Sequence, residues 1–245
     1  MTSSFDAIAS QRSLDLTGQS VEPLAPGAVV LRRFASASKG RSPAPICDTG
    51  TDTSIVDVAS CEEILHAVSE VISAAPLRHM TTPGGFRMSV AMTNCGTAGW
   101  VTDLTGYRYD QRDPLTLRPW PAMPKILLAL AQEAAAAGGF ERFIPDACLI
   151  NRYEPGARMS LHQDKDEADF GAPIVSVSLG LPAVFLFGGD RRNDRPVATP
   201  LEHGDVVVWG GPSRLRYHGV RPLKDGVHPL LGRQRLNLTF RRACP

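Results

Sequence analysis

The sequence predicts a mainly β protein with flanking helices, its strands closed as a jelly roll. Three observations predict it. From Ile144 onward, short apolar or alternating runs are separated by glycine-rich turns, the texture of a barrel or sandwich. Ahead of that region stand two runs with helical spacing, each with its own start and stop signals. Finally, His162 and Asp164 stand two apart, and His218 follows much later. A jelly roll brings the ends of distant strands to one mouth, where three such groups can meet.

The elements follow in order. Residues 1–19 are polar and aperiodic, and Ala28-Val29-Val30-Leu31 reads as a short strand. The segment 36–58 opens with SASKGRSPAPICDTGTDTS, small turn-forming residues that predict a flexible surface loop. Ser60-Cys61-Glu62-Glu63 spells a capping box, with Ser60 as N-cap and Glu63 at the third helical position. Ile64, Leu65, Val68 and Ile72 follow at helical spacing, and Pro76 lies past the end. Pro124 opens a second helix from its first turn, Ile126, Leu127, Leu130 and Ala134 form its apolar side, and Gly138-Gly139 ends it. The two helices are expected to buttress a sheet, with His66 and Met123 as surface or packing residues.

Beyond them, Ile174–Leu179 alternates, and Val184–Phe187 is a short apolar strand stopped by Gly188-Gly189. Val206–Trp209 lies between Gly204-Asp205 and Gly210-Gly211. Arg235–Arg241 alternates strictly: Arg235, Asn237, Thr239 and Arg241 share one face, and Leu236, Leu238 and Phe240 the other. These elements divide the chain into an N-terminal extension (1–60), helices with an intervening lid segment (61–140) and the jelly-roll core (141–245), one catalytic domain overall.

A chain of 245 residues with 43% apolar content buries a full core, and one domain is the default. The net charge of +1 does not announce nucleic acid, but its distribution is uneven. Arg191, Arg192 and Arg195 cluster, and Arg216, Arg221, Lys224, Arg233, Arg235, Arg241 and Arg242 dominate the end. A local positive surface can steer a phosphate backbone even when the total is near neutral. Five cysteines without a CxxC fit a reducing compartment better than a disulfide scaffold. No basic-then-apolar leader opens the chain, and no run of about 18 apolar residues offers a membrane span. A cytoplasmic protein without a membrane partner is expected.

The chemistry concentrates in two places. In an extended segment, residues two apart share a face, so His162 and Asp164 can reach one metal ion together. His218 would complete two imidazoles and a carboxylate on one side of the ion, a set that leaves positions open and suits non-heme Fe(II). Taken alone, an HxD pair more often marks polar residues at a loop edge. The polar face of 235–241 carries two guanidiniums suited to bidentate capture of carboxylates. As a bare pattern it equally fits a half-buried strand facing water. A dicarboxylate that chelates iron through one end needs a cation for the other, which describes 2-oxoglutarate. In Asn151-Arg152-Tyr153, alternation puts an amide and a phenol on one face, both able to hydrogen-bond a carboxylate without adding charge.

Several ordered stretches carry a family resemblance. They are TPGGFRMSVAMTNCG (82–96), PWPAMP (119–124), PDACLINRYEPGARMSLHQDKDE (145–167) and PIVSVSLGLPAVFLFGG (173–189). RND (192–194), LEHGDVVVWGG (201–211), YHG (217–219) and NLTFR (237–241) continue the series. With them the chain resembles the AlkB family of Fe(II)/2-oxoglutarate-dependent nucleic-acid demethylases, from about residue 20 to 241 with a break near 36–58. The resemblance implies a double-stranded β-helix with a nucleotide-recognition lid. It implies Fe(II) on His162, Asp164 and His218, which would act in catalysis through the metal. It implies 2-oxoglutarate on Asn151, Arg152 and Tyr153 and on the span Arg235, Leu236, Asn237, Leu238, Thr239, Phe240 and Arg241. Within that span Arg235 would meet the distal carboxylate and Arg241 the metal-chelating end. Leu236 and Phe86 stand where the family pattern carries tyrosine.

For substrate, the resemblance points to Trp100 as a base-stacking residue, Tyr107, Arg108 and Tyr109 as part of the lid, Asp166 for the exocyclic amine, and Arg192 nearby. Thr82, Met92, Lys165, Glu167, Ser176 and Trp209 are weaker candidates. An aromatic face also favours a base made cationic by N-alkylation. The activity implied is oxidative demethylation of N1-methyladenine and N3-methylcytosine in alkylated single-stranded DNA, with duplex DNA and RNA as further candidate substrates. It would consume O2 and 2-oxoglutarate and release formaldehyde, succinate and CO2, with no obligate protein partner. Two other readings stand beside it: a 2-oxoglutarate oxygenase acting on a protein or small molecule, and a nonenzymatic jelly-roll binding protein. Metal content and cofactor-dependent succinate release separate enzyme from binder.

Overall fold

The structure, a computed structural model, describes residues 20–36 and 60–245, so the polar start at 1–19 and nearly all of the expected loop at 36–58 lie outside the described residues. The chain first forms β1 (Ser20–Ala25), β2 (Ala28–Arg32) and helix α1 (Cys61–Ala74). Strands β3 (Arg78–Thr81), β4 (Arg87–Gly96), β5 (Gly99–Asp103) and β6 (Gly106–Asp110) precede helix α2 (Lys125–Ala137). The remainder is β7 (Ala147–Tyr153), β8 (Met159–His162), β9 (Ile174–Gly180), β10 (Ala183–Phe187), β11 (Val197–Leu201), β12 (Val206–Trp209), β13 (His218–Val220) and β14 (Arg235–Arg241). An eight-stranded sheet runs β1-β2-β12-β9-β14-β7-β4-β3, facing a four-stranded sheet β11-β10-β13-β8, while β5 and β6 form a separate hairpin. This is the expected jelly roll, a double-stranded β-helix.

Two apolar layers fix the architecture. On the outer face of the large sheet, Ile64, Val68 and Val71 of α1 and Leu127, Leu130 and Ala134 of α2 pack against Ile150, Val177, Leu238 and Phe240. Each of these side chains larger than alanine contributes roughly 1.5–3 kcal/mol by leaving water. On the inner face, Leu149, Tyr153, Val207 and Trp209 meet Phe185 and Phe187 of β10 and Val220 of β13. The two-residue period of each strand sends alternate side chains to these two layers. The space between the sheets is therefore part apolar and part lined by the polar residues of β7 and β14.

The local signals explain the helices. Ser60 Oγ accepts from the Glu63 N–H, and the Glu63 carboxylate accepts from the Ser60 N–H at 2.7 Å, a complete capping box. Pro124 is the N-cap of α2 rather than part of its first turn, and Gly138 ends the helix where a Cβ would lie 2.9 Å from Val208 Cβ. Strand β1 was not legible. Pro23 interrupts its pattern, and the pairing with β2 shifts between Pro23 and Ala25. A second irregularity, between His79 and Thr81, sits in β3 at the opposite rim. Among the described residues, no helix is long and apolar enough to cross a membrane.

One position ties the hairpin to this frame. A Cβ on Gly99 would come within 2.5 Å of the Trp120 ring and 2.7 Å of Asn94 Cβ. Gly99→Ala is expected to destabilise the fold by about 1–3 kcal/mol through overpacking. Thermal denaturation measures it, and an unchanged midpoint would show that the Trp120 side moves freely.

Candidate active site

Strand β8 ends on His162 and β13 begins on His218, and the two histidines are direct cross-strand partners. Their rings lie 4.4 Å apart. Asp164 stands two residues beyond the end of β8. His162 Nε2 is 3.6 Å from Asp164 Oδ1, and His218 Nε2 is 3.7 Å from Asp164 Oδ2. The three potential ligand atoms all lie within 4.8 Å of one another. Each Nδ1 faces a main-chain carbonyl, that of Ser160 at 2.9 Å for His162 and that of Arg216 at 3.0 Å for His218. A carbonyl only accepts, so Nδ1 carries the proton in each ring and Nε2 presents a lone pair. Burial, then the neighbouring His162, holds the His218 imidazole down at about 4, against the pull of Asp164, so the ring is neutral near pH 7.

Asp164 is buried, which alone would raise its carboxyl. Arg241, then His218 and His162, outweigh burial and hold it well below the usual carboxylate range. Arg241 donates to the single oxygen Oδ2 through Nε at 2.8 Å and Nη2 at 2.6 Å. Burial opposes the charge on Arg241, but Asp164, Tyr109 and Glu167 raise it above the ordinary guanidinium value. Trp209 meets His218 edge-on at 5.0 Å, and Phe185 lies 6.1 Å away, so the back of the site is apolar. Two imidazole nitrogens and one carboxylate oxygen in this arrangement suit a divalent ion with open positions.

Along β14 the polar face continues inward. Asn237 and Arg235 are register partners of Asn151 and Tyr153 on β7. Asn237 Nδ2 donates to Ser176 Oγ at 2.8 Å and to the Val177 carbonyl at 2.9 Å, while its Oδ1 accepts from Thr239 Oγ1 at 3.1 Å and Asn151 Nδ2 at 3.3 Å. Arg235 is only 2% exposed. Its Nη2 donates to Ser178 Oγ at 2.9 Å, and its guanidinium lies 5.0 Å from the Tyr153 ring centre. Its Nε and Nη1 have no partner, nor does Asn151 Oδ1. Burial pushes the Arg235 guanidinium down, and Tyr153 only partly restores it. A buried cation without a counter-charge is costly. A carboxylate is the partner that such a cation lacks, and Arg241 on the same strand face leads from it to Asp164.

The β5–β6 hairpin closes one side. Trp100 and Tyr109 are cross-strand partners in it. Trp100 Nε1 donates to Asp166 Oδ2 at 2.9 Å, and the Tyr109 hydroxyl donates to Glu167 Oε1 at 2.7 Å. Trp100 also stacks on Tyr107 at 5.7 Å. Arg108 is engaged within the hairpin by Asp103 and Asp110. Lys165 and Arg192 are exposed. Thr82 is half-buried and accepts from the Phe86 N–H. Met92 is buried as the cross-strand partner of Asn151, and Ser176 serves Asn237.

Four expected cofactor residues and one expected substrate residue are placed elsewhere. Leu236, Leu238 and Phe240 point to the outer layer beneath the helices, as strand alternation requires. Arg152 shares that outer side as the partner of Leu236, and its Nη2 lies 3.5 Å from Glu154. Glu167 does not face a substrate, because its buried carboxylate is taken by Tyr109, Arg214 and Arg241. Two residues beside the site went unnoticed in the sequence. Ser178 lies on the same face of β9 as Ser176, a signal the alternation contained. Arg214 follows a short 3-10 turn and carried none.

The description "2OG-Fe(II) oxygenase superfamily" fits residues 52–241. The chain is 56% identical over 223 residues to "Alpha-ketoglutarate-dependent dioxygenase AlkB" of Salmonella typhimurium, covering 91% of this chain and 93% of that protein. It is 41% identical over 128 residues to "DNA N(6)-methyladenine demethylase ALKBH1C" of Arabidopsis thaliana, covering 47% of this chain and 28% of that protein. Among solved structures, "The structure of OsALKBH1" superposes with a TM-score of 0.71 at 28% identity, covering 91% of this chain and 99% of that one. The fold, the triad and these likenesses agree: the chain belongs to the 2OG-Fe(II) oxygenase superfamily, in its AlkB family of iron(II)- and 2-oxoglutarate-dependent dioxygenases.

Proposed function

We propose that the protein removes N-methyl groups from N1-methyladenine and N3-methylcytosine in single-stranded DNA, a direct repair of alkylation damage. The observation that carries the reading is the buried Arg235, with Nε and Nη1 unpartnered, on the same face of β14 as Arg241, which holds Asp164 of the His162–Asp164–His218 cluster. A lone cation and a metal-ligating set of side chains joined by one polar strand face suit the two ends of 2-oxoglutarate. The nucleic-acid part of the reading is supported by the likeness to the Arabidopsis DNA N(6)-methyladenine demethylase and by the aromatic hairpin beside the cluster.

In this reading, His162, Asp164 and His218 would hold iron(II). Arg235, Tyr153 and Asn151 would hold the distal carboxylate of 2-oxoglutarate, with Asn237, Thr239 and Arg241 completing the polar wall. Iron(II), 2-oxoglutarate and O2 supply an oxidising chemistry that hydroxylates an N-methyl carbon, releasing formaldehyde, succinate and CO2. Arg241 keeps Asp164 ionised and oriented. Trp209, Phe185 and Phe187 exclude water from the His218 side. A target base must leave its stack to enter. Trp100 then stacks on it, and Asp166 accepts from its exocyclic nitrogen, giving up the Trp100 indole. Lys165 and Arg192 attract the phosphates, and this attraction weakens with salt.

The test is incubation of methylated single-stranded, duplex and RNA oligonucleotides with iron(II), ascorbate and 2-oxoglutarate. Repaired base and formaldehyde above an iron-free control, fastest on the single-stranded DNA, are expected. A duplex or RNA preference reassigns the polymer, and no product on any of them refutes the reading. Trp100→Ala is expected to weaken kcat/KM on single and double strands alike, by the roughly 1–3 kcal/mol that stacking on one base contributes. An unimpaired Trp100→Ala enzyme rules out this role.

A further inference from the structure

Glu167 has no place in that scheme, yet it sits where the hairpin and the metal cluster meet. Its carboxylate is buried between two guanidiniums and a phenol. Oε1 accepts from the Tyr109 hydroxyl at 2.7 Å and lies 3.3 Å from Arg241 Nε. Oε2 accepts from Arg214 Nη2 at 3.1 Å. Both guanidiniums also hold Asp164: Arg241 through the side-chain oxygen Oδ2, and Arg214 through the main-chain carbonyl, to which Nη1 donates at 2.8 Å. Arg214 Nε donates in addition to the Ala172 carbonyl at 3.0 Å, pinning the far end of the same loop. Two carboxylates and two guanidiniums thus form a charge-balanced buried quartet, and the hairpin enters it through a single hydroxyl.

We propose that Glu167 is a positioning residue that couples the β5–β6 hairpin to the metal-binding carboxylate Asp164, which rests on the triad assignment above. The physical reason is shared partners. Glu167 sets where Arg241 and Arg214 rest, and those two set the Asp164 side chain and backbone. Tyr109 sets where Glu167 rests. Groups in one buried network move together, and the removal of one is felt by the others. Coupling of this kind is reciprocal: if the ordered hairpin favours metal binding at Asp164 by some factor, metal binding favours the ordered hairpin by the same factor.

Hydrogen exchange of the β5–β6 amides, measured with and without saturating Mn(II) in the absence of oxygen, tests this. In wild-type protein, Mn(II) is expected to slow that exchange by roughly fivefold or more. In Glu167→Gln, and in the milder Tyr109→Phe, the slowing is expected to vanish although Mn(II) still binds. Exchange in β7, β9 and β14 should stay at the wild-type rate in Tyr109→Phe, which a merely structural loss would not allow. Undiminished slowing in both variants, with Mn(II) bound, overturns the proposal alone. If Mn(II) fails to bind wild-type protein, or binds Asp164→Ala as tightly as wild type, the triad assignment falls and the proposal with it.

Discussion

Asp164→Ala is expected to abolish nearly all turnover and most metal binding. The substitution removes the anionic ligand and takes from Arg241 the oxygen on which its Nε and Nη2 both rest, leaving it Glu167 at 3.3 Å. Loss of an outer partner of a metal ligand costs roughly 10–100-fold in affinity or activity, and loss of the ligand itself must exceed that. His162→Ala and His218→Ala should follow, since each deletes an Nε2 already turned toward Asp164. Titration with iron(II) under anaerobic conditions, paired with succinate release, reads both effects. Wild-type affinity and turnover in all three variants would refute the triad. Zinc or nickel found in a purified sample would not identify the working metal, because the same ligands accept them.

Arg235→Met should produce two effects of opposite sign. Truncating one partner of a buried charge pair costs about 2–5 kcal/mol, so the requirement for 2-oxoglutarate should rise by roughly 30-fold or more. Without the cofactor, the same substitution replaces a buried cation lacking a counter-charge by an apolar chain of similar length, and the fold should gain stability. Thermal denaturation with and without 2-oxoglutarate displays both. Asp166→Ala provides the contrast. It should leave iron binding and substrate-free consumption of 2-oxoglutarate nearly normal while impairing repair of methylated bases. Indistinguishable kinetic defects in the two variants would dissolve the separation between cofactor capture and base recognition.

Much of this was legible in the sequence, for identifiable reasons. The capping box at Ser60 and Glu63 and the alternation of 235–241 are local patterns, and local patterns survive folding. The alternation even contained the answer for Leu236, Leu238 and Phe240, whose outward side follows from the period alone. Glu167 was harder. Its neighbours in sequence, Asp166 and Ala168, are exposed, while its partners Tyr109, Arg214 and Arg241 lie far along the chain. Arg214 has partners 42 to 50 residues away and no periodic element to announce it. Long-range charge networks leave no spacing to read. Strand β1 was hidden for a different reason, since a proline and a bulge erase the two-residue period.

Those two irregularities also bear on self-association. An open sheet of eight strands ends in two rims, and a regular rim is a template on which another chain can add a strand. On β1, Pro23 and the shifted pairing break the repeat of donors and acceptors that an incoming strand would need. On β3, the hairpin covers the end, with Thr102 Oγ1 donating to the Thr81 carbonyl at 3.2 Å. Among the described residues, the proline and shifted pairing of β1 and the hairpin over β3 thus leave neither rim a regular template for self-association.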